Sequence, residues 1–518
     1  MRPSMKDMNT KSFLLRPGQS RFVVLVLLLF LPMSSAAQSF DGFGGYLIPG
    51  GRVRPSELFV VSPLNLFVAV GGNDTNDCLS VGSPCLTCQG ALNKIPKTLR
   101  SPTSVTLGSG TFAGCNIEGF SMESLRAANV DTTHPAMLLL QGTLSNFTVA
   151  TGTATGTLTA FTAETATAFA IATDGGQAWT VNNLQGRFFV TTGGTGSGQT
   201  LAIASNTATT VTLAGTVTAL DATTTYAIQD PATTLNAVVS PGTAAVVVSD
   251  YARSIQPTNA NQHVIRFLKF TGAIRGVEVE TSGHVTVQNS RFENSSIGGV
   301  VSIASNGLAD ILVNRCTFAQ TVPGVSVQSN PTTVNGSVYV GSGASATFIS
   351  ANTTRGAMTT ARNQFVSGVG FINVLGATWD STRDRITTGT GICADIGDNA
   401  STSRAGLIRF SATNSDFSSC TLGGVRASGR VNGLLSSVTG TGNGVGGIII
   451  TDGAIAEFTS GTTLTGPATC TDGGGGAGTG AAACDFIVQG ITRVRGTIEA
   501  ATPKSVFDLN FGTMVYER

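Results

Sequence analysis

Apolar residues in this chain come mostly in short β-branched runs broken by Gly, Asn, Ser and Thr, and no long stretch keeps a helical period. One segment departs from this. "LTCQGALNKIP" has amphipathic spacing and predicts a single short helix near Thr87 to Ile95, ended by Pro96. "LFVAV" from Leu66 predicts a strand before it, "NDTNDCLSVGSPC" a turn-rich loop, and "SVTLGSGTF" from Ser104 the next strand.

Beyond the helix one phrase recurs: an aromatic or aliphatic residue, several small polar residues, then Gly-Val or Gly-Ile, as in "FTGAIRGVEV", "FENSSIGGVVSI" and "FSSCTLGGVRA". The hydrophobic residues after Gly are Val277, Val300, Val325, Val369, Ile392, Val425 and Ile448, separated by 23, 25, 44, 23, 33 and 23 residues. The step of 44 is close to two periods and that of 33 is one period with a loop. Short strands at such a period suit the stacked coils of a parallel β-solenoid, whose strands pair above and below, better than a β-sandwich, which has no fixed repeat length. An open end would expose strand edges, so the helix is expected to cap the N-terminal end. Residues 145–232 break the period with hairpin-like rhythm and Gly-rich turns, and read as a small inserted β module.

Composition narrows function. Only 11% of residues are charged and the formal net charge is +1, which argues against a nucleic-acid partner. Lys6, Lys11, Arg16 and Arg21 precede the apolar run Phe22 to Met33, and Ser35 and Ala37 fit a small-x-small cleavage site. The run falls short of the roughly 20 residues that span a bilayer, so 1–37 reads as a secretory signal peptide, leaving no membrane span after cleavage. The expected location is secreted or cell-surface, with 38–65 as a mature N-terminal arm, 66–144 as opening coils and cap, and 233–518 as the remaining coils and C-terminal cap.

Export makes pairing the default for the nine cysteines. Cys78, Cys85, Cys88 and Cys115 read as two disulfides of open connectivity, with Cys78–Cys85 attractive as a loop staple; zinc would want two compact ligand pairs, and only Cys85 and Cys88 are close, so no metal is expected. Cys470 and Cys484 bracket a Gly-rich loop and are expected to close it by pairing, and Cys393 and Cys420, 27 apart and near one coil length, are expected to bridge adjacent coils. Cys316, two before Phe318, remains, and alternation turns it inward, buried and inert.

"LFVAVGGNDTNDCLSVGSPCLTCQGALNKIP" followed by "SVTLGSGTF" resembles the opening segment of secreted β-helix proteins of the pectin-lyase-like superfamily, where "YV...GNDxNDG...SPxxTIQxAI" leads into the cap helix. Residues 263–460 resemble that superfamily's generic coils. The resemblance implies an all-β, right-handed parallel β-helix with an N-terminal capping helix and a small inserted β module. It says little about activity, because the superfamily spans lyases, hydrolases, phage tailspikes, epimerases and adhesins. The insert itself resembles a short β unit of phage structural and bacterial surface proteins.

Candidate sites follow from aligning "NSRF", "RCTF", "RNQF", "RDRI" and "NSDF". If the last residue of each points inward, those one and three before it face outward. Stacking then lines up Lys269, Arg291, Arg315, Arg362, Arg383 and Arg385 as a basic stripe, flanked by Asn289, Gln364 and Asn414, fit for an extended acidic polysaccharide or surface glycan. The plainer alternative is a solvated sheet face that tolerates arginine. Asp380, Asp384, Asp395, Asp398 and Asp416 fall in one window with Arg383 and Arg385. An acid pair would serve glycoside hydrolysis, and acids holding Ca2+ would serve β-elimination; no other cofactor is expected. The catalytic candidates are Asp384, Arg383 and Asp416, without any signature string of polygalacturonases or pectate lyases, and Asp384, two before Ile386, is expected to point inward. The sequence therefore reads as a β-helix protein binding extracellular glycans, adhesin-like or structural. The alternatives are a lyase or hydrolase of acidic polysaccharide, and a structural unit of a filament or tail-like assembly.

Overall fold

A computed structural model describes residues 59–122, 137–237 and 244–464 with short gaps, together with the strands Tyr46–Ile48, Gly51–Val53, Cys484–Gln489, Arg493–Gly496, Val506–Asp508 and Val515–Glu517. The signal segment and the Cys470–Cys484 pairing lie outside the described residues.

The chain winds into a parallel β-solenoid. One coil runs through Gln262–Arg266 in a first sheet, Leu268–Thr271 in a second and Arg275–Val279 in a third. The next strand, Gly283–Gln288, then returns in register beside Gln262–Arg266. Among the described residues the three long all-parallel sheets hold 14, 11 and 12 strands. The 44-residue step hides one coil: Val325 pairs with Ile349, and Ile349 with Ile372. The column continues through Ala394 to Val425, so Ile372 and Ala394 stand where the repeat reading put Val369 and Ile392. The loops ahead of those strands blur the Gly-hydrophobic signal.

Inside the second sheet Phe270, Phe292, Phe318, Tyr339 and Phe365 stack face to face, with centroids 4.7, 4.9, 4.6 and 4.6 Å apart. Ring stacking and the strand spacing of about 4.8 Å thus support one another. Ile386 and Phe417 extend the column, fully buried.

The corner between the first and second sheets is made by one left-handed residue per coil: Phe267, Asn289, Arg315, Gly336, Arg362, Arg383, Asn414 and Ser437, all with φ between 48° and 59°. A left-handed residue reverses the local curl of a strand and costs about 1–2 kcal/mol for a non-glycine residue. The next residue points in: Ser290, Cys316, Ser337, Asn363, Asp384 and Ser415 form a buried polar ladder. Burial pushes the Cys316 thiol up to about 12, and its Sγ donates to Val287 O at 3.4 Å.

At the N-terminal end the helix α1, Cys88–Leu92, buries Cys88, Ala91 and Leu92 against the strands Leu64–Val68, Thr103–Leu107 and Cys115–Glu118. Thr87 caps it, accepting from Gly90 N at 2.9 Å. Asp74, from the "GNDTND" loop, accepts from Leu86 N and Thr87 N at 2.9 Å each and from the Thr87 hydroxyl at 2.7 Å. A Cβ on Gly90 would lie 2.2 Å from Asp74 Oδ1, so the loop seats only on a glycine. Burial raises the Asp74 carboxyl, and the Thr87 and Leu86 hydrogen bonds outweigh it, so the carboxyl sits below its ordinary value. The stability it brings is present above the unfolded-state pKa of about 3.9 and is lost as pH falls through the lower folded value. Asp74→Ala is expected to cost about 1–2 kcal/mol and to flatten the acid side of a pH series of unfolding midpoints.

Disulfides join Cys78 to Cys85 and Cys88 to Cys115 around this cap, and Cys393 to Cys420 across two neighbouring coils. Three buried cross-links point to an oxidising, extracellular setting.

The insert leaves from one corner. After Leu138–Gln141 in the first sheet the chain builds an antiparallel sheet from Leu144–Asn146 to Thr225–Pro231, then rejoins the second sheet at Thr233–Ala237. Leu138–Gln141 still pairs with both coil neighbours, so the excursion leaves the solenoid register intact. Trp179, Leu184, Phe189, Leu201, Ile203, Tyr226 and Ile228 give the insert its own core, and the Tyr226 hydroxyl donates to Asp174 at 2.6 Å.

Candidate functional site

Lys269, Arg291 and Arg385 fall in one outward column of the second sheet, interrupted by Thr317, Val338 and Gln364, with Arg315, Arg362 and Arg383 at the corner beside it, and the chain's own insert lies over this face. Arg291, Thr317 and Val338 face outward from the second sheet yet are only 7%, 1% and 0% exposed, because Phe169, Phe188, Ala202, Ala204 and Ala214 of the insert pack there. The expectation of a solvent-facing stripe is corrected on this point: alternation gave the direction of these side chains but not what covers them.

Each arginine meets the insert differently. Arg291 donates to Gly186 O at 2.7 Å, and Arg315 to Thr200 O at 3.2 Å and Thr216 O at 3.0 Å. Asn289 Nδ2 donates to Thr200 O at 3.0 Å. These guanidinium groups satisfy peptide carbonyls at strand ends, which would otherwise lose water without a partner. Lys269 stands in the field of Asp230, which is raised by burial and held back by Arg291, Arg187 and Lys269. At the Gly336 corner the two backbones touch: a Cβ there would lie 2.7 Å from Gly215 Cα.

At the far end the seam becomes charged and opens. Glu164, on the turn after Ala160–Thr162, accepts from Arg362 Nε at 2.8 and 3.0 Å and pairs with Arg383 at 3.1 Å. Arg362 and Arg383 are corner residues of successive coils, so one carboxylate bridges a coil step. Arg385 places its guanidinium 5.0 Å from the Phe169 ring centroid and 3.8 Å from Asp416, beyond hydrogen-bond range. Its Nε has no acceptor among the described residues. Burial lowers Arg385 from its ordinary value while Asp416 and Glu164 favour its charge. The side chains of Arg362, Arg383, Arg385, Glu164 and Asp416 keep 23%, 29%, 17%, 14% and 22% exposure. Three guanidinium groups against two carboxylates leave the cluster positive.

The aspartates clustered in sequence disperse, because one coil visits three faces. Asp380 is exposed on the first sheet, Asp395 pairs with Arg426 on the third, and only Asp416 reaches the seam. Asp398 lies outside the described residues. Asp384 is fully buried and accepts from Thr360, Ser381 and Asn363, which takes it out of reach of a substrate and corrects its candidacy as a catalytic acid. Among the described residues no group of three or more His, Cys, Asp or Glu is placed to hold a metal ion, so the Ca2+ of a lyase finds no such ligand set there. His284 pairs with Asp310 at 3.0 Å on the first sheet. No helix among the described residues is long and apolar enough to cross a membrane.

Glu164 and Phe169 were not legible as site residues. They lie in the insert, outside the coil repeat, and only docking brings them to the arginines.

The fold defines a parallel β-solenoid protein with an antiparallel insert. No family model and no curated protein matches the chain. Among solved structures it is similar to a glycoside hydrolase at 8% identity and a TM-score of 0.34, covering 88% of this chain and 96% of that one. It is also similar to a lacto-N-biosidase from Eubacterium ramulus at 8% identity and a TM-score of 0.28, covering 88% and 67%. A tailspike of the Acinetobacter baumannii bacteriophage AP22, in complex with capsular saccharide, is similar at 11% identity and a TM-score of 0.16, covering 70% and 74%.

Proposed function

We propose that this is an extracellular glycan-binding protein that takes a carboxylated saccharide at the open end of the seam, between the insert's Glu164–Phe169 turn and Arg362, Arg383 and Arg385. The observation that carries it is Arg385, a partly exposed guanidinium whose Nη1 stands 3.8 Å from Asp416, beyond hydrogen-bond range, beside two more arginines from the same face. A ligand carboxylate would complete its bonding, and bidentate arginine–carboxylate pairing is the strong form of that contact. The remaining arginines of the stripe, with Lys269, serve on this reading to hold the insert in place. Membership of the pectin-lyase-like superfamily, and export by residues 1–37, fit the opening motif, the coil fold and the disulfides.

Calorimetric titration of the full chain with an oligogalacturonate and with an uncharged oligosaccharide tests this. Binding to the acidic ligand alone is expected, weakened by salt and reduced at least about tenfold in Arg383→Ala/Arg385→Ala. Equal affinity for both ligands, or an unaffected double variant, would overturn it. Release of reducing or unsaturated ends in the same incubation would make the protein a processing enzyme, with Asp416 as the seam's available acid.

A further inference from the structure

We infer that Glu164 is a built-in competitor for this site: its carboxylate occupies the Arg362–Arg383 pair in place of a ligand carboxylate, and the turn that carries it lifts away when a carboxylated saccharide binds. The inference rests on the glycan-binding reading and adds how that site is regulated.

Three observations lead to it. The geometry is that of a bound ligand: one carboxylate spans two guanidinium groups of successive coils, with both oxygens engaged. Arg362 and Arg383 sit at left-handed corner positions whose amides donate to Thr382 O and Thr413 O at 2.9 Å each. The turn, by contrast, is held at Glu164 by the arginines and at Phe169 by burial against the second sheet, with little between. Strand Ala160–Thr162 is the edge of the insert's sheet and pairs only with Ala170–Thr173. Between them Ala163, Thr165, Ala166, Thr167 and Ala168 are exposed, and the turn closes through Thr165 N to Ala168 O at 2.9 Å. Such segments open at low free energy.

The rest of the insert has separate anchors. Arg291 and Arg315 hold backbone carbonyls of 186, 200 and 216, and Gly215 rests on Gly336. The turn can therefore lift without the insert leaving. The charge balance also closes: a ligand carboxylate replaces Glu164 on the same two guanidinium groups, and Glu164 moves into water, so no charge is left buried and unpaired.

In Glu164→Gln the competing charge is gone and the turn keeps its shape. Affinity for oligogalacturonate is expected to rise about tenfold, as expected when a charged competitor is removed from an arginine pair. Glu457→Gln, which removes an exposed carboxylate on the first sheet, is expected to leave affinity unchanged. In the wild type, hydrogen exchange in 160–173 is expected to quicken on saturation. Unchanged or weaker affinity in Glu164→Gln, with binding still lost in Arg383→Ala/Arg385→Ala, would overturn the competitor and leave the glycan site standing. Absence of binding in both wild type and Glu164→Gln would overturn the site itself.

Discussion

Asp384→Ala is expected to destabilise the solenoid by about 3–5 kcal/mol, since it strips several buried donors of their acceptor at about 1–3 kcal/mol each. The carboxylate is fully buried at the first–second sheet corner. It accepts from Asn363 N at 3.0 Å, Asn363 Nδ2 at 2.9 Å, the Ser381 hydroxyl at 2.7 Å and the Thr360 hydroxyl. Thr360 in turn accepts from Trp379 Nε1 at 2.9 Å, and Ser381 shares a hydrogen bond of 3.0 Å with Ser415. Alanine leaves these donors facing a void, in a network that runs through three coils of the polar ladder.

Asp384→Asn should cost much less. Its oxygen can keep the two Asn363 donors while its NH2 faces two hydroxyls, each of which can rotate to accept. Burial pushes the Asp384 carboxyl up, against the pull of the Thr360, Ser381 and Asn363 hydrogen bonds. Its contribution is then full below the unfolded-state pKa and declines as pH rises through the raised folded value, a dependence the asparagine variant lacks. Denaturant unfolding across a pH series reads both effects. An alanine variant within about 1 kcal/mol of wild type would contradict the network.

Gly336→Val is expected to dislodge the insert while leaving the coils wound. Valine at φ +59° pays a left-handed cost of about 1–2 kcal/mol, and its Cβ also meets Gly215 Cα at 2.7 Å, backbone that cannot step aside. Gly442→Ala supplies the comparison, since that residue has φ +68° but its nearest neighbour is the Ser419 side chain at 3.5 Å. It should show the backbone cost without the collision. Hydrogen exchange should rise in Thr200–Asn206 and at Val338–Val340 for the valine variant only. Unchanged protection there would mean that the insert does not rest on this corner.

Local chemistry carried much of this architecture. The ring column from Phe270 to Phe365 announces itself as the repeat, because an inward aromatic must recur once per coil. Cys316 and Asp384, each two before the aromatic column, are buried as alternation requires. The helix at Cys88 follows from its one amphipathic stretch.

Two things were hidden, for physical reasons. The corner residues Arg315, Arg362 and Arg383 are left-handed, and arginine gives no sign of that in sequence, where glycine or asparagine would. The seam was hidden because a period search sets aside whatever breaks the period. Glu164 and Phe169 lie roughly two hundred residues or more before the arginines they meet, in a segment that docks by shape and hydrogen bonds to carbonyls. The five aspartates show the reverse error, since closeness along a solenoid chain carries a residue round three faces within one coil.

The most direct measurement is a hydrogen-exchange footprint of the full chain with and without saturating oligogalacturonate. Slower exchange is expected in Arg385–Gly389 and Asp416–Cys420, with faster exchange in 160–173. Protection centred instead on the outer face of the first sheet, around His284 and Asp310, or no change anywhere, would contradict it.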